Sequence, residues 1–147
     1  MTVISAPTVA ESLEQIIFAG VALTTVAIHT ARPDFELTFP QWRVLVVLGG
    51  SPTGLRIGEV ARRVGVTLPA TSRQLHRLER RGLVEVRPDD QDRRASRARL
   101  TESGRQAYEA IVSYRRAYID EIAAPFESDP ALRAQIDLIA EAFARFG

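Results

Sequence analysis

The sequence predicts a mainly α-helical fold with one small β-hairpin, and three observations predict it. Apolar residues recur every three or four positions through the middle of the 147-residue chain and towards both ends, which is helical spacing. Two such patterns in the middle, "IGEVARRV" and "LPATSRQLHRLER", are joined through Gly65. After them, "LVEVR" and "SRARL" alternate as strands do, on either side of a charged strip, "DDQDRRA". At 46% hydrophobic residues the chain suits one domain with a real core.

Taken in order, Thr8-x-x-Glu11 is a capping-box signal, and Leu13, Ile16, Ile17, Gly20, Leu23 and Ala27 continue it as a helix from about Val9 to Thr30. Pro33 stops that helix, and Ala31 to Asp34 form a connector. Thr38-x-x-Gln41, with Pro40 in the first turn, opens a second helix through Trp42, Leu45, Val46 and Leu48, which Gly49-Gly50 ends. Ser51 to Gly54 is a turn. Ile57 to Val64 is a short amphipathic helix with Ile57, Val60, Ala61 and Val64 on its apolar side. Thr67 caps the next helix, Pro69 is tolerated in its first turn, and Gly82 closes it after Arg81. Leu83 to Arg87 and Ser96 to Leu100 pair as a hairpin. Thr101 caps a long helix to about Ala124, and Asp129-Pro130 starts a last helix through Phe146.

A short helix, a tight turn and a longer second helix make a helix-turn-helix, and the hairpin makes it a winged one. At 100° per residue, Leu68, Thr71, Leu75 and Leu78 gather on the inner side of the second helix, and Pro69, Ala70, Arg73, Arg77 and Arg80 on the outer. Small residues at the N-terminal end allow close approach to a groove. Arg73 and Arg77 reach guanine edges or phosphates, Gln74 beside them suits adenine, and Thr71, though on the inner side, is counted with them as a DNA contact. In the wing, Arg93 and Arg94 stand at the tip with Arg97 behind them, an arrangement suited to the negative potential of a minor groove. Asp92 is read as the carboxylate that orients one of these arginines. Asp89 and Asp90 are read as turn formers.

Charge distribution supports this reading more than net charge does. The net charge is +1. Residues 51–105 nevertheless hold thirteen arginines against seven carboxylates, an excess of six, so the flanks sum to −5. All nineteen cationic side chains are arginine. Genome composition accounts for that bias most simply, though arginine also suits planar recognition of phosphates and base edges.

Other classes are poorly served. There is no cysteine, hence no disulfide, thiolate metal site or thiol switch. His29 and His76 lie in separate helices with no ligand cluster around them, so neither metal nor cofactor is expected. The apolar stretches Ile16–Ile28 and Trp42–Leu48 fall short of the ~20 residues a membrane span needs, and the N-terminus lacks the basic start of a signal peptide. A cytoplasmic protein is expected. No phosphate loop, nucleophile elbow or HExxH pattern argues for an enzyme. Ser72 and His76 are one helical turn apart but lack a third partner.

The wing strip resembles that of the MarR family of bacterial transcription regulators. The family pattern D-x-R-x-x-x-(apolar)-x-L-T falls on Asp92, Arg94, Ala98, Leu100 and Thr101, with Ala98 smaller than the usual Leu or Val. "LTFPQWRVLVVL", "IGEVARRVGVTLPATSRQLHRLERRGLVEV" and "LTESGRQAYEAI" are similar, in order, to the family's second helix, helix-turn-helix and fifth helix. The resemblance implies one MarR-like domain over 1–147, with a winged helix at about 38–101 and a dimerisation lobe from about 8–31 and 102–147. It implies a homodimeric, sequence-specific regulator of double-stranded DNA, a repressor by family default, on a pseudo-palindromic operator. Apolar positions in the terminal helices, among them Ile119, Ile122, Ile136, Phe143 and Phe146, call independently for a partner surface.

The resemblance also implies release by a small aromatic or anionic effector near the junction of the two lobes, with His29, Phe35, Phe39, Trp42 and Arg43 as candidates. Two readings stand for the aromatic residues, ligand contact and core packing, and helical spacing favours packing. Arg43 suits a carboxylate or phenolate, whereas His29 also suits the role of a helix C-terminal cap. The competing reading of the whole chain is a winged-helix protein-interaction module, its arginines paired with an acidic partner.

Overall fold

The computed structural model of the chain describes residues 6–145. Helix α1 (Val9–Ala31) starts on the expected capping box: the Thr8 hydroxyl accepts from the Glu11 N–H at 3.2 Å, and the Glu11 carboxylate accepts from the Thr8 N–H at 2.7 Å. The connector is more ordered than expected. Pro33–Phe35 form a 3-10 turn, with Arg32 paired to Asp34 at 2.8 Å and lying 4.1 Å from the centre of the Phe35 ring. Thr38 and Gln41 repeat the capping box at the head of α2 (Phe39–Gly49).

The helix pair follows as α3 (Ile57–Val64) and α4 (Leu68–Arg80). Gly65 joins them at φ +73°, a left-handed conformation that costs glycine nothing. The wing consists of β2 (Val84–Pro88) and β3 (Ser96–Leu100), in a register that sets Val84 opposite Leu100 and Arg87 opposite Arg97. A strand absent from the sequence reading, β1 (Leu55–Arg56), adds to the other edge of β3 and gives the antiparallel order β1-β3-β2. Two residues are too few for alternation to register, which is why β1 was not legible. Then come α5 (Glu102–Ala123), a 3-10 turn over Ala124–Phe126, and α6 (Pro130–Ala144), capped by the Asp129 carboxylate. The expected end of the last helix, Phe146, lies outside the described residues.

The core sits where these elements meet. Trp42, Leu45 and Leu48 of α2, Val60 and Val64 of α3, and Leu75 and Leu78 of α4 pack with Leu83, Val84, Ala98 and Leu100 of the wing. Ala27 and Ile28 of α1 and Ala107 and Ile111 of α5 close it from above. Each fully buried Leu, Ile or Val contributes about 2 kcal/mol of transfer free energy. The head of α5 is tied directly to the sheet: Thr101 donates from its N–H to the Leu83 carbonyl (3.1 Å) and from its hydroxyl to the Gly82 carbonyl (2.6 Å). The same hydroxyl caps the Gly104 N–H at 3.0 Å. Gly104 lies so close to β2 that a Cβ there would stand 1.9 Å from the Leu83 carbonyl oxygen.

Towards the chain ends packing thins out. α6 buries no residue, and Ile16, Ile17, Phe18, Tyr118, Ile122, Ile136 and Phe143 are all exposed. One expectation is corrected here. α1 is a single helix of 23 residues, long and apolar enough to cross a membrane, with 17% of its most apolar stretch buried. The helix length was expected, but the span was judged on the apolar run Ile16–Ile28 alone and not on the whole helix.

Candidate nucleic-acid interface

α4 presents its outer side as the sequence predicts. Leu75 and Leu78 are buried, whereas Pro69, Arg73, Arg77 and Arg80 are exposed and Ala70 is half-buried. Two details differ. Thr71 is fully buried and its hydroxyl donates to the Thr67 carbonyl at 3.1 Å, so this expected DNA contact is a core residue with no surface to offer. Leu68, expected inside, is 52% exposed and lines an open cavity with Ile57, Gly58 and Arg62 of α3. Gln74 is half-buried, and its Oε1 is enclosed without a hydrogen-bond partner.

In the wing the carboxylate roles are exchanged. Asp89, read as a turn former, is 1% exposed and organises the site. Its Oδ1 accepts from Arg56 at 3.0 Å and from the backbone N–H groups of Gln91 and Asp92; its Oδ2 accepts from Arg56 and Arg97. The Arg56 guanidinium, foremost, holds the Asp89 carboxyl far below the usual carboxylate range; burial opposes the shift, and the Gln91 N–H and Arg97 add to it. Asp92 instead accepts from the Arg94 backbone N–H at 3.0 Å, shaping the tip without gripping a guanidinium.

Arg97 is correspondingly committed within the protein, although its side chain stays 36% exposed. It is spent on Asp89 and on the Gly54 carbonyl at 2.7 Å, which fastens the wing to the body of the domain. Glu85 similarly joins Arg87 on its own strand and Arg99 across on β3, and its carboxyl is lowered chiefly by the Arg99 hydrogen bond.

A division of labour results. Arg56, Arg87, Arg97 and Arg99 are paired. Among the described residues, Arg73, Arg77, Arg80, Arg93 and Arg94 make no ion pair. These five guanidinium groups lie on the exposed side of α4 and at the wing tip, where they are open to an incoming anion. Between α3, α4 and the wing lies an open cavity of about 580 Å³, lined by Arg56, Arg62, Leu68, Ser72 and Arg94 among others. Arg62, Leu68 and Ser72 were not singled out as contacts from sequence. Leu68 and Ser72 lie one turn apart, and that spacing was the available signal.

The candidate effector residues are not gathered around either cavity described. Trp42 is 2% exposed and stacks on Tyr108 with ring centres 5.6 Å apart, so core packing is its role. Phe39 and Phe35 pack against the core edge, and His29 is exposed on the last turn of α1. Arg43 donates to the Val64 carbonyl at 2.5 Å, closing the C-terminus of α3.

Comparison with known proteins agrees with this architecture. Residues 35–95 match the model of the MarR family. The chain is 37% identical over 94 residues to the transcriptional activatory protein BadR of Rhodopseudomonas palustris, an alignment covering 61% of this chain and 53% of BadR. The chain spans about half the length of the curated relatives it matches. Among solved structures, RV1404 from Mycobacterium tuberculosis is similar over 99% of both chains, with a TM-score of 0.76 and 27% identity. Streptococcus pneumoniae FabT in complex with DNA is similar in fold over 94% of both chains, with a TM-score of 0.79 and 21% identity. The winged-helix region thus matches the MarR family model, and the fold is like that of RV1404 from end to end.

Proposed function

We propose that the protein is a sequence-specific regulator of transcription that binds double-stranded DNA as a homodimer, through α4 in a major groove and the wing tip in the adjoining minor groove. The observation that carries this is the set of unpaired arginines on those two surfaces, in a chain whose other wing arginines are all paired. Base reading falls to Arg73, Gln74 and Arg77, with Pro69 and Ala70 permitting approach; Arg80, Arg93 and Arg94 meet phosphates or the minor groove. FabT, similar in fold, forms a complex with DNA, which supports DNA as the partner.

A second copy of the chain is the partner that best suits the uncovered apolar surface of α1, α5 and α6. All three helices carry exposed apolar residues, which favours self-association over insertion of α1 alone in a bilayer. Two winged helices then address successive major grooves of a pseudo-palindromic operator. Repression by occupying the operator, and release by a small aromatic or anionic effector near His29, Phe39 and Arg43, complete the proposal.

The test is a fluorescence-anisotropy titration against a pool of duplexes, including the DNA flanking the protein's own gene, at two salt concentrations. Tight, selective, salt-sensitive binding with two protomers per site is the expected result. Equal, weak binding to every duplex would overturn the reading in favour of an acidic protein partner. A reporter whose transcription rises with the protein would reverse the sign to activation.

A further inference from the structure

We propose that the outer face of the wing holds a small phosphate-bearing anion, separate from both the DNA-reading surface and any effector site at the lobe junction. Strand alternation turns Val84, Ala98 and Leu100 into the core and Glu85, Arg87, Arg97 and Arg99 outwards. There they line a cavity of about 610 Å³ together with Thr53 and Arg93. That volume falls in the range of ligand sites, and the lining has no aromatic residue, so a polar body suits it better than an aromatic acid.

The charges around this cavity are arranged for an anion. Asp89, Asp90 and Glu85 face Arg87, Arg93, Arg97 and Arg99, and Arg56 also reaches Asp89. Four lining guanidinium groups against three carboxylates leave an excess of one positive charge, which draws a phosphate-bearing anion. Each guanidinium has five N–H donors. Glu85 engages Arg99 through Nε and Arg87 through Nη2, so both arginines are braced while most of their donors stay uncommitted among the described residues. Arg93 makes no ion pair and belongs to both this cavity and the wing tip. It cannot serve the bound anion and a DNA groove at once, so occupancy lowers DNA affinity. Only this coupling rests on the DNA-binding reading; the site itself does not.

The experiment titrates the full chain with inorganic phosphate at constant ionic strength, chloride replacing phosphate in the control, by isothermal calorimetry and by amide NMR shifts. Saturable binding, with shifts confined to β2, β3 and the turn at Thr53, is expected. It should be lost in the Arg87→Gln/Arg99→Gln protein and weakened in Thr53→Val, which breaks no ion pair, while circular dichroism stays unchanged. Absence of saturation at about 10 mM, or binding that survives these substitutions, overturns the proposal. With DNA present, saturating phosphate should weaken operator binding about fivefold in the wild type and not in the double variant. A double variant that loses DNA affinity although the wild type binds no free phosphate would make these arginines contacts to the DNA backbone, which also overturns the proposal.

Discussion

Asp89 brings together two guanidinium groups and two backbone N–H groups at a point that solvent hardly reaches. Its carboxyl is depressed by Arg56 first and by the Gln91 N–H and Arg97 after it. Because the folded-state pKa lies below that of the unfolded chain, about 3.9, its contribution is present above that value and is lost only as pH falls through the lower, folded value. The Gln91 and Asp92 amide resonances should therefore hold their positions from neutral pH to about pH 4; a titration midpoint near 4 would mean that the ion pairs do not form. Asp89→Asn, which leaves Arg56 and Arg97 without their anion, should loosen the wing and reduce operator affinity about tenfold in anisotropy titrations, with the rest of the core intact. At Gly104 the constraint is steric. Alanine there has to displace the Leu83 backbone, so Gly104→Ala should cost about 2–3 kcal/mol in denaturant unfolding; an unchanged midpoint would show that α5 can back away from the sheet. The sequence pattern pointed to a braced wing but not to the brace. Spacing along one strip cannot say which of three aspartates faces Arg56, some thirty residues earlier.

On α4, the two sides were legible because thirteen residues give several helical turns of evidence. Its first turn was not: Leu68 shares the helical phase of Leu75 yet is 52% exposed, because at that level an open cavity and not packed side chains faces it. Thr71 shows the opposite limit: a polar residue one turn from Leu75 can be core when its hydroxyl returns to its own helix. Substitutions on the exposed side should separate by role. Arg73→Ala should relax preference at one half-site position, at a cost of about 1–3 kcal/mol if it forms a bidentate base contact. Arg94→Ala should weaken all duplexes alike and reduce the salt slope by about one. Equal losses on every sequence for Arg73→Ala would reassign it to phosphate. The connector was less legible for a different reason: the Arg32–Asp34 pair and the Arg32–Phe35 stack form only once Pro33 has set the turn.

The whole molecule is unevenly consolidated. Its core runs from α2 through the wing and into the near halves of α1 and α5, whereas α6 buries nothing by itself. The composition foretold such a lobe through its surplus of apolar positions, and the bounds of α1 were legible to within a residue, but how little of it is buried emerged only with the folded helix. Sedimentation at micromolar concentration should find a dimer. Leu138→Asp, placed on the exposed surface of α6, should shift it to monomer while the remaining core still melts cooperatively. A wild-type monomer under those conditions would remove the homodimer from the proposal.

The unpaired guanidinium groups on α4 and at the wing tip carry one more implication. In a chain with no lysine, that cationic surface cannot be neutralised by acetylation of lysine, and arginine keeps its proton at any pH a cell reaches. Its attraction for a polyanion is in that sense permanent. Control over it must come from displacement, by moving α4 and the wing out of register with the grooves or by giving the arginines another anion to hold.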